Sequence, residues 1–151
     1  MLSQANADRA WVSGQVLLIG LIVAAAILGQ HWPGGLVMAV AGAAVALTGG
    51  LVMLWGGRIL GRSLTPFPSP RGSHLERGPY RFVRHPMYGG GFVLALGISL
   101  ASSPWALVPT LALGPFLLVK SRYEERLLAQ ADPGYGEYLA RVHKRFFPGL
   151  L

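Results

Sequence analysis

Two long stretches of the chain carry no charged side chain. No Asp, Glu, Lys or Arg occurs between Arg9 and Arg58, or between Arg84 and Lys120. An apolar run of about 18 residues or more is a candidate transmembrane helix, and each stretch has room for a pair. The first run, about 11–28, would extend roughly 27 Å at 1.5 Å per residue, close to the ~30 Å of the hydrocarbon layer. Gln30-His31-Trp32-Pro33-Gly34-Gly35 reads as a turn, with Trp32 suited to the interface. A second helix is expected over about 36–59. Gly42, Ala46 and Gly50 recur every four residues along it, a spacing that lets helix backbones approach closely. The third and fourth runs, about 86–102 and 105–120, are joined by Ser102-Ser103-Pro104-Trp105. Both are short for spanning, and Gly114-Pro115 predicts a kink in the fourth. That helix should continue out of the membrane to Leu128 and stop at Asp132-Pro133-Gly134. Residues 135–142 read as a short amphipathic helix, with Arg141, Lys144 and Arg145 beside Phe146 and Phe147 as an interfacial anchor. The pattern predicts an all-α membrane protein, one integral membrane domain over 1–151. It has about four transmembrane helices, a polar loop at 60–85, a tail at 121–151 and a short C-terminal interfacial helix.

Composition sharpens this reading. The chain is 52% hydrophobic and 13% charged, against about 25% charged in soluble domains. The first run could be a signal peptide. Its leader offers Asp8 and Arg9 rather than a basic cluster, and no clear cleavage site follows, so a retained helix is expected. A net charge of +7 would point to nucleic acid in a soluble protein. Here no basic stretch is interleaved with aromatics, and Lys and Arg gather on cytoplasmic loops of membrane proteins, where anionic lipid attracts them. Membrane lipid is the expected partner, and nucleic acid is not. The turns near 29–35 and 101–105 carry no Lys or Arg, whereas the 58–84 loop and the tail after Lys120 carry nearly all of them. The positive-inside rule then places both termini and the large loop in the cytoplasm. No cysteine is present, which excludes disulfides, thiolate nucleophiles and thiolate metal sites. His31, His74, His85 and His143 lack metal-ligand spacing, and no metal is expected.

Two polar clusters should share the cytoplasmic face. One is Gly78-Pro79-Tyr80-Arg81-Phe82-Val83-Arg84-His85-Pro86-Met87-Tyr88-Gly89-Gly90, immediately before an uncharged run. The other is Glu124-Glu125 at the end of the fourth helix. The hairpin of the third and fourth helices returns the chain to the same side, so the clusters can meet. Consecutive helix residues point about 100° apart, so the two glutamates cannot face one small group equally. One can bind a cationic ligand while the other pairs with arginine, and local pairs Lys120–Glu124 and Arg122–Glu125 are available. His85 precedes proline, which biases it toward extended backbone, and Pro86 can open the third helix. The N–H groups there can hold an anion. Gly89, Gly90 and Gly91 would let a ligand or a helix approach closely.

At these residues the chain resembles the isoprenylcysteine carboxyl methyltransferase / phospholipid methyltransferase superfamily of integral membrane enzymes. The likeness covers about 64–148. It comprises Leu64-Thr65-Pro66, Gly78-Pro79-Tyr80, Arg84-His85-Pro86-Met87-Tyr88-x-Gly90, Glu124-Glu125, and Tyr135-x-x-Tyr138-x-x-x-Val142 ending at Phe147-Pro148. The resemblance implies S-adenosylmethionine as cofactor, bound on the cytoplasmic side between the loop and the last helix. Carried over by position, its pocket would comprise Thr65, the backbone of Gly72, Ser73, His74 and Leu75, then Tyr80, His85, Pro86, Met87, Tyr88 and Glu124. The residue types fit: a carboxylate for the ammonium group, aromatics for adenine and sulfonium, and N–H groups for the carboxylate. Methyl transfer needs alignment and exclusion of water more than a protein nucleophile. An amine acceptor must also lose a proton, and His85 or Glu125 would be the nearest bases. Eukaryotic carboxyl methyltransferases carry an arginine four residues before the first glutamate to hold the acceptor carboxylate. Lys120 stands there instead, with Arg122 two residues on. Lysine is a point charge, not a fork. The implied substrate is a lipophilic or membrane-proximal acceptor whose methylated group (carboxylate, amine or thiol) stays open. Sterol reductases share the Arg-His-Pro-x-Tyr box with NADPH as cofactor but are longer. A non-catalytic lipid-binding scaffold is the other alternative. A small transporter would need an ionisable residue within its spans.

Overall fold

In a computed structural model the protein is all helical, and residues 3–69 and 76–148 are described. Helix α1 covers Gln4–Leu28. It starts about two turns before the apolar run because Ser3 caps it, its hydroxyl accepting the Asn6 N–H at 3.4 Å. Helix α2 covers Gly35–Leu60. Glycines with positive φ stand at both ends, Gly35 at 49° and Gly61 at 50°, where a side chain would be strained. Helix α3, Pro86–Ser102, and α4, Leu107–Ala131, are joined by the turn at Pro104–Ala106. The Ser103 hydroxyl accepts the Trp105 N–H in that turn. Helix α4 runs unbroken through Pro115. Helix α5, Tyr135–Arg141, follows the Asp132-Pro133-Gly134 stop.

Helices α2 and α3 are in backbone contact. A Cβ at Gly42 would overlap Ala101 N, one at Gly49 Leu94 N, and one at Gly97 Ala46 N. The seam on α2 therefore runs through Gly42, Gly49 and Gly56, the buried residues of that helix, with Ala46 against Gly97 between them; of the expected Gly42, Ala46 and Gly50, only Gly50 gives way, to Gly49. Helical geometry explains the difference. A residue eight positions on has turned about 80° from its starting direction, whereas one seven positions on has turned back only about 20°. Helix α1 lies against α4 and α3 rather than following α2. Ile22 packs with Leu113, Leu117 and Ala95, and Trp11 sits edge-on to Phe116, centroids 5.4 Å apart.

Three helical stretches are long and apolar enough to cross a membrane: Gln4–Leu28, Gly35–Ser63 and Pro104–Ala131. The sequence pattern counts four. Helix α3 has 17 residues, roughly 26 Å at 1.5 Å per residue, because Pro86 fixes its start and the Ser103-Pro104 turn its end. Apolar side chains such as Val16, Leu17, Leu47, Leu51 and Leu54 point outward, as they do against lipid rather than water.

The two uncharged turns meet at one end of the bundle. Trp32 Nε1 donates to Ser99 O at 3.0 Å, and Gly29 abuts Ser103. The charged segments meet at the other end, where Gln4 bonds Tyr123, Ser69 bonds Asp8 and His85 bonds Glu125.

Gly97→Val is expected to force α2 and α3 apart, at about 1–3 kcal/mol or more of overpacking. Gly20→Ala, with open space around the added methyl, should stay within about 0.5 kcal/mol of the parent. Thermal unfolding of both variants in detergent checks the contrast.

Candidate active site

The loop before α3 is shaped by proline and by the C-terminal tail. Pro86 opens the helix, as proline at a first helical position does, while His85, the N-cap, has an extended φ of −128° but a ψ of 62°, short of the extended range expected before proline. Tail carbonyls then pin the loop: Arg84 N–H donates to Lys144 O at 2.9 Å and His85 N–H to Arg145 O at 2.8 Å. The glycine triplet divides three tasks. Gly89 lies against Phe146 O, where a Cβ would come to 2.6 Å, and Gly90 against Gly49 O, where it would come to 2.8 Å. Gly91 lines a cavity. The N–H groups of Tyr88 and Gly89 both bond His85 O, so these two of the expected anion-holding donors are engaged within the chain.

The adjacent glutamates take different partners. Glu125 receives the Arg145 fork, Nε at 3.1 Å and Nη2 at 2.7 Å, and faces His85 Nε2 at 3.1 Å. Arg84 Nε lies 3.4 Å from the same carboxylate, buried and without a hydrogen bond of its own. Glu124 accepts the Tyr88 hydroxyl and lies 3.6 Å from His85 Nδ1. The imidazole of His85 thus sits between the two carboxylates, and its ring stacks on Tyr88 with centroids 5.5 Å apart. The local pairs within α4 give way to these longer-range ones. Arg145, expected as an interfacial anchor, is instead only 17% exposed in its side chain. Its hydrogen bonds to Glu125 hold its pKa above the ordinary arginine value.

A cavity of about 690 Å³ opens beside this cluster. Its polar end carries Thr65, Tyr80, His85, Tyr88, Lys120 and Glu124, and its far end Ile22, Leu94, Ala95, Ile98, Leu113 and Leu117. His85 and Ile98 are 13 residues apart, so the lining follows α3 for roughly 20 Å. Tyr80 is held by its carbonyl, which accepts the Tyr138 hydroxyl at 2.9 Å. Burial pushes the Tyr80 phenol well above its usual range, so it is a neutral hydrogen-bonding group at ordinary pH. Thr65 Oγ1 accepts Phe67 N–H at 3.2 Å and shapes the turn that covers this end. Lys120 is completely buried. It donates to Gln15 Oε1 and to Pro66 O, and its ammonium lies 5.3 Å from the centre of the Tyr88 ring.

Of the residues expected from sequence, Thr65, Tyr80, His85, Met87, Tyr88, Lys120 and Glu124 line the cavity. Glu125 lies behind His85, outside the lining, and buried Pro86 serves as the first residue of α3. Arg122 is exposed and lies outside the cavity lining, being turned about 200° from Lys120 around the helix. Gly72, Ser73, His74 and Leu75 lie outside the described residues. Sequence reasoning missed Gln15, Ser69, Arg84, Tyr135 and Tyr138 as lining residues. Gln15 had a usable signal, a lone side-chain amide within an apolar run. Among the described residues no group of three or more His, Asp or Glu gathers as metal ligands would.

The model of the family described as phospholipid methyltransferase matches residues 37–132, which include the parts of the cavity wall on α3 and α4 and both glutamates. The chain belongs to the phospholipid methyltransferase family. This assignment favours methyl transfer over the reductase and scaffold alternatives. The chain is also similar, at 37% identity over 78 residues, to the cobalt-zinc-cadmium resistance protein CzcN of Cupriavidus metallidurans, covering 50% of this chain and 36% of that protein. It is 29% identical over 146 residues to the nickel-cobalt-cadmium resistance protein NccN of Alcaligenes xylosoxydans xylosoxydans, covering 95% and 54% respectively. The chain thus spans about half the length of these relatives or less. No solved structure matches it significantly.

Tyr138→Phe would leave the buried Tyr80 carbonyl without its donor. A loss of about 1–3 kcal/mol is expected, measurable as a lowered melting temperature in detergent.

Proposed function

We propose that the protein transfers a methyl group from S-adenosylmethionine to a lipophilic or membrane-proximal small molecule. The observation that carries this reading is a single cavity with a carboxylate–imidazole–phenol cluster at one end and aliphatic walls at the other. Its ≈ 690 Å³ falls in the range of about 300–1,000 Å³ typical of small-ligand sites. The residues present suit the donor. Glu124 offers a carboxylate for its ammonium group, and Arg84, which also lines the cavity, offers a cation for its carboxylate. Tyr80 and Tyr88 offer aromatic surface for adenine and sulfonium. When bound, S-adenosylmethionine supplies a methyl group activated by its sulfonium for in-line displacement. The chain's own contribution is to align the reactants and exclude water. A carboxylate or thiolate acceptor needs no base. An amine acceptor must lose a proton, and His85, which lines the cavity, suits that task better than Glu125, which is enclosed behind it in ion pairs. Lys120 keeps the 64–69 turn over this end through Pro66 rather than standing free for an acceptor.

The same reading has one membrane domain with four crossings, α3 being the short one. Both termini and the charged end face the cytoplasm, where anionic lipid attracts the exposed arginines.

Glu124→Ala and His85→Ala are each expected to weaken S-adenosylmethionine binding by about thirtyfold or more while the protein still folds, at a melting temperature lowered by the loss of a buried partner. Calorimetric titration tests this, with NADPH as the comparison ligand. Unchanged affinity in both variants, or tight binding of NADPH alone, would overturn the assignment. The orientation has its own test. The chain has no cysteine, so single cysteines at Ser3, Gln30, Arg77 and Trp105 can be labelled in intact cells with an impermeant maleimide. Positions 30 and 105 should react and positions 3 and 77 should not; the reverse pattern would invert the proposed topology.

A further inference from the structure

The family match ends at residue 132, yet the segment beyond it closes the back of the site. Arg145 gives both oxygens of Glu125 a donor, Nε at 3.1 Å and Nη2 at 2.7 Å, with the two side chains 17% and 11% exposed. The same carboxylate faces His85 Nε2 at 3.1 Å. The other ring nitrogen, Nδ1, lies 3.6 Å from Glu124, which in turn accepts the Tyr88 hydroxyl. Arg145 itself does not line the cavity. It stands at one end of a chain of contacts, Arg145–Glu125–His85–Glu124–Tyr88, whose other end does.

We propose that Arg145 is a positioning residue for the donor end of the cavity: its forked grip on Glu125 sets the plane of the His85 ring and thereby the place of Glu124. The inference rests on the methyl-donor reading above. Geometry separates Arg145 from Arg84, the other cation beside Glu125. Arg84 Nε stands 3.4 Å away and makes no hydrogen bond, so it contributes charge without direction. Two parallel bonds from a planar guanidinium fix a carboxylate in orientation as well as place. Without them Glu125 is free to turn toward Arg84, and the imidazole loses the oxygen that defines its Nε2 side. The tail carbonyls of Lys144 and Arg145 hold the loop backbone whatever side chain stands at 145. A substitution there therefore tests the fork and not the tail.

The test is a double-mutant cycle read by calorimetric titration of the full chain in detergent with S-adenosylmethionine. Arg145→Gln is expected to weaken donor binding about tenfold in the parent and to add almost nothing in a Glu125→Gln background. The ¹⁵N imidazole resonances of His85 should shift in Arg145→Gln. Unchanged affinity, an equal loss in both backgrounds, or unmoved His85 resonances would overturn the proposal. If Arg145→Gln does not fold, Arg145→Lys, which keeps the charge and loses the fork, is read in the same cycle against the same outcomes. Glu124→Ala separates the two levels of inference. Donor affinity unchanged in that variant removes the methyl-donor reading itself. Affinity lost there but retained in Arg145→Gln removes only the positioning role.

Discussion

Consecutive residues of an α-helix cannot look the same way, and the charged end of this bundle is organised by that constraint. Glu124 and Glu125 diverge by about 100°. One faces the cavity and the other faces the C-terminal tail. His85 stands between them and touches both. Two carboxylates this close would repel. The surrounding donors (two arginines, an imidazole and a phenol) offset that repulsion and leave Glu124 as the carboxylate presented inward. A buried carboxylate stripped of such donors would be expensive.

The helix pair behind this cluster obeys a different constraint. Helices α2 and α3 meet backbone to backbone, so neither can shift along the other without a collision. That rigid pair holds the start of α3, and with it His85 and Tyr88, at a fixed height. Helix α1 is free of this seam and packs on α4 and α3 instead, which leaves room for the cavity between the two halves of the bundle. The aliphatic lining from α1, α3 and α4 then continues directly from the polar cluster.

Much of this was legible in the chain. The two charge-free stretches announced a bundle whose ends differ in charge, and the hairpin of α3 and α4 predicted the meeting of His85 with the glutamates. Of the two glutamates, one expected for a ligand and one for an arginine, Glu125 is the one that the fold pairs with arginine. What could not be read is choice among partners. Arg122 lies three residues from Glu125 and Arg145 twenty, yet the distant one makes the bond, because only the fold brings the tail back across α3. The glycine seam was misread by one residue for a metric reason: a spacing of four drifts around the helix, and only contact with α3 reveals which drift is tolerated. The role of Gln15 depended on the placement of α1 beside Lys120, which no local pattern encodes.

Lys120 illustrates how the fold constrains later change. Its ammonium is sealed between an amide of α1 and a carbonyl of the 64–69 turn, with no exposed surface at all. A guanidinium is wider and flatter and cannot make the same two bonds from one nitrogen at the same place. A lineage that exchanged this lysine for arginine would have to reshape the turn or turn the new side chain into the cavity that Lys120 lines. The residue at 120 therefore couples the shape of the turn to the shape of the cavity.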